Sequence, residues 1–434
     1  MSLIALLFII TAVFSIIVGT PLFAIVGGAA VFCFAYLADV SITALVIEMA
    51  RLANAPGIIA IPFFTFAGYI FAESKAADRL INMSEAIFGW MPGGLCIVIL
   101  IACTVFSAMT GASAVTIIAI GGLLLPALIK EGYDDLFSLG ITTSAGSLGL
   151  LFVPSLPIII YGMVARVDIV QLFIAGILPG SLAVIMLILY GIRAGIKFHI
   201  PRGKFYFKKV LSAMWDAKWE IPLPIVVVGG IYGGYITVGE AASVAVFYAI
   251  VSECLIYREI SLKQLFNIAT ESMIMVGSIL IILGCALGFT NFLVDRHIPQ
   301  EMMTFLQLHI QSKIVFLLAL NVFLLIVGCT MDIFSAIIVI VPLISPVALG
   351  FGIDPVHLAM IFLMNLEIGF LTPPIGLNLF VSSARFNEPV LKLFKSILPF
   401  FFILLAALLI ITYVPQLSLF LINLLGQRPP LLEL

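Results

Sequence analysis

Apolar segments long enough to cross a bilayer recur from one end of the chain to the other, and this feature restricts the fold most strongly. A helix needs about 20 apolar residues to span a hydrocarbon core of about 30 Å. Of the 434 residues, 63% are hydrophobic and only 10% are charged. This combination excludes a soluble domain of this size and predicts an all-α, polytopic membrane protein.

The first apolar segment, 3–18, precedes every lysine and arginine, because the first basic residue is Arg51. A cleavable signal peptide begins with a positively charged region. We therefore expect 3–18 to be a retained span.

Several classes of function lack their sequence signals. The six cysteines form no CxxC pair and the four histidines are dispersed, so neither a disulfide framework nor a metal or His-based catalytic centre is expected. The chain contains no phosphate-binding GxxxxGK[ST] loop. The net charge of −2, without a basic cluster, gives no indication of nucleic-acid binding. We expect no enzyme and no organic cofactor, and transport would draw on an ion gradient or a partner.

The sequence repeats itself at a constant offset of 220 residues. Glycine and proline are informative in such a comparison because they are placed for backbone reasons. They coincide in order at Gly68 and Gly288, Pro126 and Pro346, Gly149 and Gly369, and Pro154 and Pro374. We predict a first repeat over 1–195, a connector over 196–220 and a second repeat over 221–425.

The number of crossings predicts that the two repeats run in opposite directions. Each half contains five full crossings and one hairpin that returns to its own side, which is an odd number and gives an inverted repeat. With loop 193–220 in the cytoplasm, 15 of the lysines and arginines fall inside and 5 outside, as the positive-inside rule requires. Both termini are then predicted to be periplasmic. The stretch 204–220 is predicted to be an interfacial helix, with an ordinary solvated loop as the alternative.

Two segments of each half are amphipathic rather than wholly apolar. Charged and apolar residues alternate at helical spacing in 41–57 and 73–90, whose repeat mates are 261–277 and 293–310. We predict helices that lie along the membrane interface and brace a fixed frame. Simple surface connectors are the alternative.

Each half also carries two polar, glycine- or proline-containing interruptions. The interruption at 106–116 divides 93–130 into two arms of about 15 residues, too short to cross the membrane, so a re-entrant hairpin is predicted. Its mate, 327–336, divides 313–351 in the same way. The other pair breaks the helices predicted over 136–162 and 356–381. One such break is commonly a kink, but four breaks paired by the repeat indicate an ion and substrate site at the membrane midplane.

Two acidic residues lie within these interruptions. Asp332 follows an apolar run in the second hairpin, where an ionisable group is costly and usually functional. Its alternative role is to cap the next helix. Glu367 is also deep, and either lies nearer the outer face of the site or pairs with another polar group. No lysine or arginine is expected at mid-depth, so an anionic substrate would be held by hydroxyls, amides, helix ends and bound cations.

Five motifs resemble one transporter family in order and spacing. They are FSAMTGASAVT, GSLGLLFVPS, GCTMD, GIDPVHLAM and GFLTPPIGLNLFV. Together they resemble the large membrane (M) subunit of tripartite ATP-independent periplasmic (TRAP) transporters over essentially the whole chain. One departure is Val153-Pro154, where the family usually has two prolines.

The resemblance implies an elevator-type ion-transporter fold, in which two hairpins and two broken helices slide against a scaffold. It implies sodium-driven import of an organic acid of the C4-dicarboxylate or sialic-acid class. The expected partners are a small four-span membrane subunit and a periplasmic substrate-binding protein, in the bacterial inner membrane. Sodium is the expected coupling ion.

The resemblance also assigns site residues at the hairpin turns and breaks. The sodium ligands it implies are Ser107, Thr110, Gly111, Ser113, Ser147 and Gly149 for one ion, and Gly328, Met331, Asp332, Gly369 and Thr372 for the other. The expected substrate-binding residues are Ser113, Pro154, Ser155, Asn365, Pro373, Pro374, Gly376 and Asn378.

Three other functions are alternatives to this one. A self-contained sodium/anion symporter would share the inverted-repeat architecture and need no binding protein. A membrane enzyme would need a catalytic constellation, which the sequence lacks. A channel is disfavoured because two hairpin-and-break pairs suggest occlusion rather than an open pore.

Overall fold

The computed structural model describes residues 11, 20, 22–37, 43–55, 57–200, 205–310, 312–374 and 376–426. The predicted span 3–18 lies outside this part of the chain, apart from Thr11. Over the described ranges the secondary structure is entirely helical. The all-α, polytopic membrane fold is therefore confirmed.

Within the described ranges, the first half of the chain contains nine helices. Helix α6 contains a π-helical stretch, Ile117–Gly121, and a 3₁₀ turn, Leu148–Leu151, follows α7. The helices are α1 Leu22–Phe32, α2 Thr43–Arg51, α3 Ala60–Glu73, α4 Ala76–Phe88, α5 Gly94–Thr110, α6 Ser113–Glu131, α7 Asp135–Ala145, α8 Leu156–Ala165 and α9 Ile169–Lys197.

Eleven more helices lie in the described residues of the connector and the second half. The connector contains a helix rather than only a loop, and this helix contacts α4, while its predicted position at the membrane interface remains a prediction. The helices are α10 Phe207–Asp216, α11 Pro222–Tyr232, α12 Val238–Ile256, α13 Leu262–Asp295, α14 Ile298–His309, α15 Lys313–Thr330, α16 Ile333–Gly350, α17 Pro355–Gly369, α18 Leu377–Phe386, α19 Val390–Tyr413 and α20 Gln416–Leu424.

The described helices include seven that are long and apolar enough to cross a membrane. The number rises to eight if α7 and α8, which are bent by 45° at a short break, count as one span. The two hairpins are α5–α6 and α15–α16, with arms of 17 to 19 residues instead of about 15. At 1.5 Å per residue these arms measure about 26–29 Å, close to the thickness of the apolar core. Three of them, α6, α15 and α16, are among the seven helices long enough to cross, so their length alone does not make them re-entrant.

Helices recur at the predicted offset. Helices α6 and α16 begin at Ser113 and Ile333, and α7 and α17 begin at Asp135 and Pro355, each pair 220 residues apart. The aspartates Asp134 and Asp354 cap α7 and α17 in the same way, by accepting hydrogen bonds from the first backbone N–H groups. The inverted repeat is thus visible in the helices, while the exact repeat boundaries remain a prediction.

The separate interfacial helix predicted over 261–277 is wrong. One continuous helix, α13, runs for 34 residues from the capping box of Ser261 and Gln264 to Asp295. The first half has Pro56-Gly57 where the second has Val276-Gly277. Proline interrupts a helix and valine does not, so the interfacial helix and the span fuse in the second half only. The predicted mate over 293–310 contains a separate helix, α14, from Ile298 to His309, whose position at the membrane interface remains a prediction.

Helices of each half pack against helices of the other half. The half-helix α8 contacts α16 of the other half, and α18 contacts the π-helical stretch of α6. Arg385 of α18 donates a hydrogen bond from Nε to the Ile118 carbonyl oxygen at 3.0 Å. Broken helix α7 likewise packs on α19, where Gly140 lies so close that a Cβ would be 2.2 Å from the Ser396 carbonyl oxygen. The hairpins and broken helices therefore form one interlocked body.

A buried ion-pair cluster ties α4 to the start of the second half. Arg79 forms salt bridges with Glu220, with Glu253 at 2.8 Å and with Glu259 at 2.7 Å. Its guanidinium also lies 3.8 Å from the centroid of the Tyr257 ring. The side chains of Glu220 and Glu253 have no exposed surface, so the cluster is shielded from water.

Candidate functional site

The first hairpin turns at a glycine. Helix α5 ends at Thr110, and Gly111 follows with φ of 66°, a left-handed conformation that glycine adopts without strain. Ser113 then begins α6. The turn lies against the start of helix α8, since a Cβ on Gly111 would be 2.8 Å from the Leu156 side chain.

The first break, residues 146–155, packs directly on this hairpin. A Cβ on Gly149 would lie 2.3 Å from the Thr104 carbonyl oxygen and 2.4 Å from the Ala108 nitrogen. Only glycine permits this approach of one backbone to the other. Predicted ligands Ser107 and Gly149, which are 42 positions apart in sequence, are therefore neighbours, with the Ser107 Cβ 2.7 Å from the same point.

The second hairpin and the second break, residues 370–376, repeat this arrangement. A Cβ on Gly369 would be 2.5 Å from the carbonyl carbon of Gly328. The backbone N–H of Gly376 donates to the Cys329 carbonyl oxygen at 3.4 Å. Both breaks contain a cis peptide bond, Val153-Pro154 in the first and Pro373-Pro374 in the second. The first break therefore has the same cis isomer as the second, although Val153 stands where the family usually has a proline.

Asp332 caps helix α16. Its carboxylate accepts hydrogen bonds from the Ser335 backbone N–H, at 3.0 Å, and from the Ser335 hydroxyl. The residue is exposed rather than sealed. The capping alternative is confirmed, and the predicted sodium role remains a prediction. Thr372 is half-buried, and its hydroxyl donates to the Ile368 carbonyl oxygen at 3.0 Å.

Buried hydroxyl groups without partners concentrate at the first hairpin and break. Buried polar groups in proteins almost always have a hydrogen-bond partner. Within the described ranges, the predicted site residues whose buried hydroxyls have no partner are Ser107, Thr110, Ser147 and Ser155. Each can offer oxygen lone pairs to a cation. The donor set therefore fits an ion such as Na⁺, which is coordinated by hydroxyls and unwound carbonyls in broken-helix sites.

The predicted substrate ligands do not share one open pocket. Ser113, Pro154, Ser155, Asn365, Gly376 and Asn378 are buried, whereas Pro373 and Pro374 are exposed. Asn378 has no partner for either side-chain polar atom, but the amide nitrogen of Asn365 donates to Asn321 Oδ1 and to the Ile361 carbonyl oxygen, both at 2.8 Å. The structure thus joins hairpin to break within each half without gathering the whole predicted substrate set.

Sequence reasoning missed several polar residues near the breaks. Ser144 and Ser382 are fully buried and their hydroxyls have no partner in the described structure. Asn321 links Asn365 to Thr412, whose hydroxyl lies 3.1 Å from the Asn321 amide nitrogen. The run TTSAGS before the first break was a visible signal for Ser144. Asn321 had none, since it stands alone in an apolar stretch.

A cavity of about 950 Å³ lies between α8 and the ends of other spans. Arg51 and Arg166 contribute two positive charges to its lining and Asp168 one negative charge. Arg51 and Arg166 belong to segments predicted to face the periplasm. The cavity contains none of the predicted sodium or substrate ligands, so it is separate from the breaks.

Comparison with known proteins gives a consistent family. A family model described as "Tripartite ATP-independent periplasmic transporter, DctM component" matches residues 6–417. The C4-dicarboxylate TRAP transporter large permease protein DctM of Pseudomonas aeruginosa is 35% identical, over 89% of this chain and 91% of that protein. Its counterpart of the same name in Vibrio cholerae is 32% identical over 96% of each chain.

Other relatives differ in the substrate that they are named for. The isethionate TRAP transporter permease protein DctMQ of Oleidesulfovibrio alaskensis is 36% identical over 84% of this chain, which spans 58% of that longer protein. Further relatives are named for sialic acid and for ectoine. Among solved structures, the Alcanivorax borkumensis YdaH transporter has the same fold, with a TM-score of 0.61 at 15% identity over 89% of this chain and 88% of that one.

Proposed function

Because the chain belongs to the DctM family of tripartite ATP-independent periplasmic transporters, we propose that this large permease imports an organic acid by sodium symport. The observation that carries the proposal is the contact of each hairpin with one break, together with the buried hydroxyl groups that have no partner at the first of these contacts. A permease moves its substrate without altering it, so no catalytic group is assigned.

Two sodium sites are proposed, one for each hairpin and break. The hydroxyls of Ser107, Thr110 and Ser147 serve the first ion together with backbone carbonyls of the first break. At the second, the backbones of Gly328 and Gly369 pack directly against each other, and we assign the second ion to the polar groups beside this contact. The bound ions would supply positive charge next to an anionic substrate, at a depth where no lysine or arginine is expected.

The proposed substrate class is an organic acid. C4-dicarboxylates, isethionate, sialic acid and ectoine, the compounds in the relatives' names, all carry a carboxylate or a sulfonate group. The cavity lined by Arg51 and Arg166 supports this class, since its positive charges would attract anions to the predicted outer face. We propose that the binding protein selects which acid is carried.

An elevator mechanism is proposed for the movement. The interlocking of α8 with α16 and of α18 with α6 supports a single moving body made of both hairpins and both broken helices. One sodium ion crossing a potential of 100 mV supplies about 2.3 kcal/mol. We propose the bacterial inner membrane as its location, with a small four-span subunit and a periplasmic binding protein as partners.

Purification of the tagged chain from its native membrane tests the proposal. The expected result is a stoichiometric small membrane protein in mild detergent, with a periplasmic binding protein captured on addition of its acid. Reconstituted with both partners, the complex should take up that acid only when sodium is present outside. It should show no channel-like electrical conductance. Mass spectrometry identifies the partners and radiolabelled counterflow measures transport.

Two outcomes would overturn it. A chain that purifies alone and still drives sodium-dependent uptake would be a self-contained symporter. Uptake by the complete complex that is independent of sodium would refute the coupling ion while leaving the partners in place.

A further inference from the structure

One side of the connector helix α10 is held against the protein. Helix α10 contacts α4, and Ala213 and Ala217, which are one helical turn apart, are buried. The hydroxyl of Tyr257 donates a hydrogen bond to the Asp216 carbonyl oxygen at 2.6 Å. These contacts fix which side of α10 is directed away from the protein.

The side of α10 that faces away from the protein is apolar. Phe207, Leu211 and Trp215 follow one another at intervals of four residues, which places them on one face of the helix. Their exposed fractions are 70%, 60% and 69%. Phe205, just before α10, adds a further exposed ring, whose centroid lies 5.8 Å from that of Trp90. A continuous row of large exposed apolar side chains indicates a surface that another molecule covers.

Lysines accompany this apolar row. Lys208 and Lys218 are exposed, and neither forms a salt bridge within the described ranges. The Lys218 ammonium lies 4.2 Å from the centroid of the Trp215 ring. Lys209 is engaged in an exposed salt bridge, and Asp216 is the only acidic residue in the sequence of α10. Lysines on the polar side and Phe, Leu and Trp on the other are typical of helices that lie in the headgroup region of a membrane.

The chain on either side keeps α10 close to the bilayer. Helix α9, which is long and apolar enough to cross a membrane, ends at Lys197, and the apolar helix α11 begins at Pro222. Helix α10 lies between these two ends in sequence. The distribution of basic residues predicts that they are cytoplasmic, and the cytoplasmic leaflet carries anionic lipids that attract basic segments.

The molecule that covers α10 must receive apolar side chains and neutralise lysines at the same time. An anionic phospholipid does both, because its acyl chains accept the rings and its phosphate pairs with an ammonium group. We propose that α10 is a binding surface for anionic phospholipids, with Phe207, Leu211 and Trp215 among the acyl chains and the headgroups on Lys208 and Lys218. This inference goes beyond the proposed function and does not rest on it, because neither the coupling ion nor the substrate takes part.

Fluorescence quenching of Trp215 tests the surface in the full chain. The sequence contains three tryptophans, so Trp90→Phe and Trp219→Phe leave Trp215 alone. This chain is reconstituted in phosphatidylcholine liposomes that contain an equal, low fraction of brominated phosphatidylglycerol or of brominated phosphatidylcholine. We expect both lipids to quench Trp215. The anionic lipid should quench it several-fold more strongly, since each lysine near an anionic surface favours binding by about fivefold.

Two pairs of lysine substitutions show whether charge on α10 causes the preference. Lys208→Gln with Lys218→Gln should bring the quenching by the two lipids close together. Lys263→Gln with Lys395→Gln is the matched control, because it removes two exposed lysines of the same predicted side that belong to α13 and α19. This pair should keep the preference. Each comparison is made within one variant, so any change in Trp215 emission on loss of Lys218 cancels.

Size-exclusion elution checks that each variant is folded. If the single-tryptophan chain is not folded, native mass spectrometry of the chain with all three tryptophans gives the same comparison. It counts the phosphatidylglycerol and phosphatidylcholine molecules retained with and without the substitutions at Lys208 and Lys218.

Three results would overturn the proposal. Trp215 quenched by neither lipid would show that protein covers the apolar row, such as a second copy of the chain or a partner subunit. Equal quenching by both lipids before any lysine is replaced would show a surface without preference for anionic lipid. A preference that survives the loss of Lys208 and Lys218 would assign the headgroups to other residues. Because no transport is measured, these results would leave the proposed function standing, and failed sodium-dependent uptake would leave the quenching unaffected.

Discussion

Asp332 has a capping role and a proposed sodium role, and one substitution separates them. Asparagine caps helices about as well as aspartate but carries no charge. Asp332→Asn should therefore stay folded while the sodium concentration for half-maximal uptake rises about tenfold, equivalent to about 1.4 kcal/mol. Thr372→Ala should raise it as well. Unchanged sodium stimulation in both variants, measured by uptake in liposomes, would remove these residues from the site.

The close approach at Gly149 and Gly369 predicts a sharp cost for a single methyl group. Alanine at either position would collide with the backbone of a hairpin, at 2.3 Å from the Thr104 carbonyl oxygen or 2.5 Å from the Gly328 carbonyl carbon. We expect each variant to lose about 1–3 kcal/mol, as overpacked cores do. Thermal unfolding in detergent measures the loss.

Gly277→Ala provides the control for this prediction. Gly277 lies inside helix α13, and a Cβ there would meet no atom within 4 Å. Alanine favours a helix over glycine, so this variant should be as stable as wild type or more so. Equal melting temperatures for all three variants would show that the two contacts are looser than described.

At the scale of residues, the sequence predicted the glycines better than the polar groups. The repeat singled out Gly149 and Gly369 because a required backbone conformation leaves a mark in sequence. Whether a hydroxyl has a partner depends on packing between distant segments. Ser382 and Asn321 therefore gave no signal, and the exposure of Asp332 could not be foreseen from its apolar neighbours.

Between elements, the Arg79 cluster is the main polar link of helix α4. Removing one partner of a buried ion pair leaves the remaining charge buried without a partner, which typically lowers the free energy of unfolding by about 3–5 kcal/mol. Arg79→Met should therefore destabilise the protein strongly in thermal unfolding, because Glu220 and Glu253 would remain buried. Lys209→Ala removes only the exposed pair with Glu85 and should cost at most about 1 kcal/mol. Similar losses in the two variants would contradict a structural role for the cluster.

The same variant should depend on pH. Burial raises the pKa of the Glu220 carboxyl, and Arg79 opposes that shift. Without Arg79 the pKa rises further. An acid whose pKa is higher in the folded protein contributes stability that is complete below its unfolded pKa and is lost as the pH rises through the folded pKa. Acidification should therefore narrow the gap between Arg79→Met and wild type, whereas a gap independent of pH would exclude Glu220 as its cause.

Element boundaries were predictable where proline and glycine punctuate the chain. Both hairpins and both breaks lie where these residues interrupt the apolar runs. The prediction over 261–277 is wrong because it gives the second repeat the same helix boundaries as the first. The proline that separates the two segments in the first half has no counterpart in the second.

For the whole molecule, the inverted repeat predicts which loops a reagent can reach. Ser212 of α10 and Ser312 before α15 are both exposed and belong to opposite predicted sides. In intact cells with a permeable outer membrane, an impermeant thiol reagent should label Ser312→Cys and not Ser212→Cys until the inner membrane is opened. The unmodified chain, with its six native cysteines, sets the background. The reverse pattern would invert the orientation, and labelling of both would refute the odd number of crossings.

The packing of helices from one half against helices from the other has a consequence for synthesis on the ribosome. When the first half leaves the translocon, α8 has no α16 to cover it, and the carbonyl of Ile118 has no Arg385. The nascent segment must wait in the membrane with its polar interruptions exposed until Arg385, which lies 190 residues beyond position 195 (385 − 195), has been made. A chain of this design therefore matures only after the last helices are inserted, and either half made alone should be a substrate for membrane proteases.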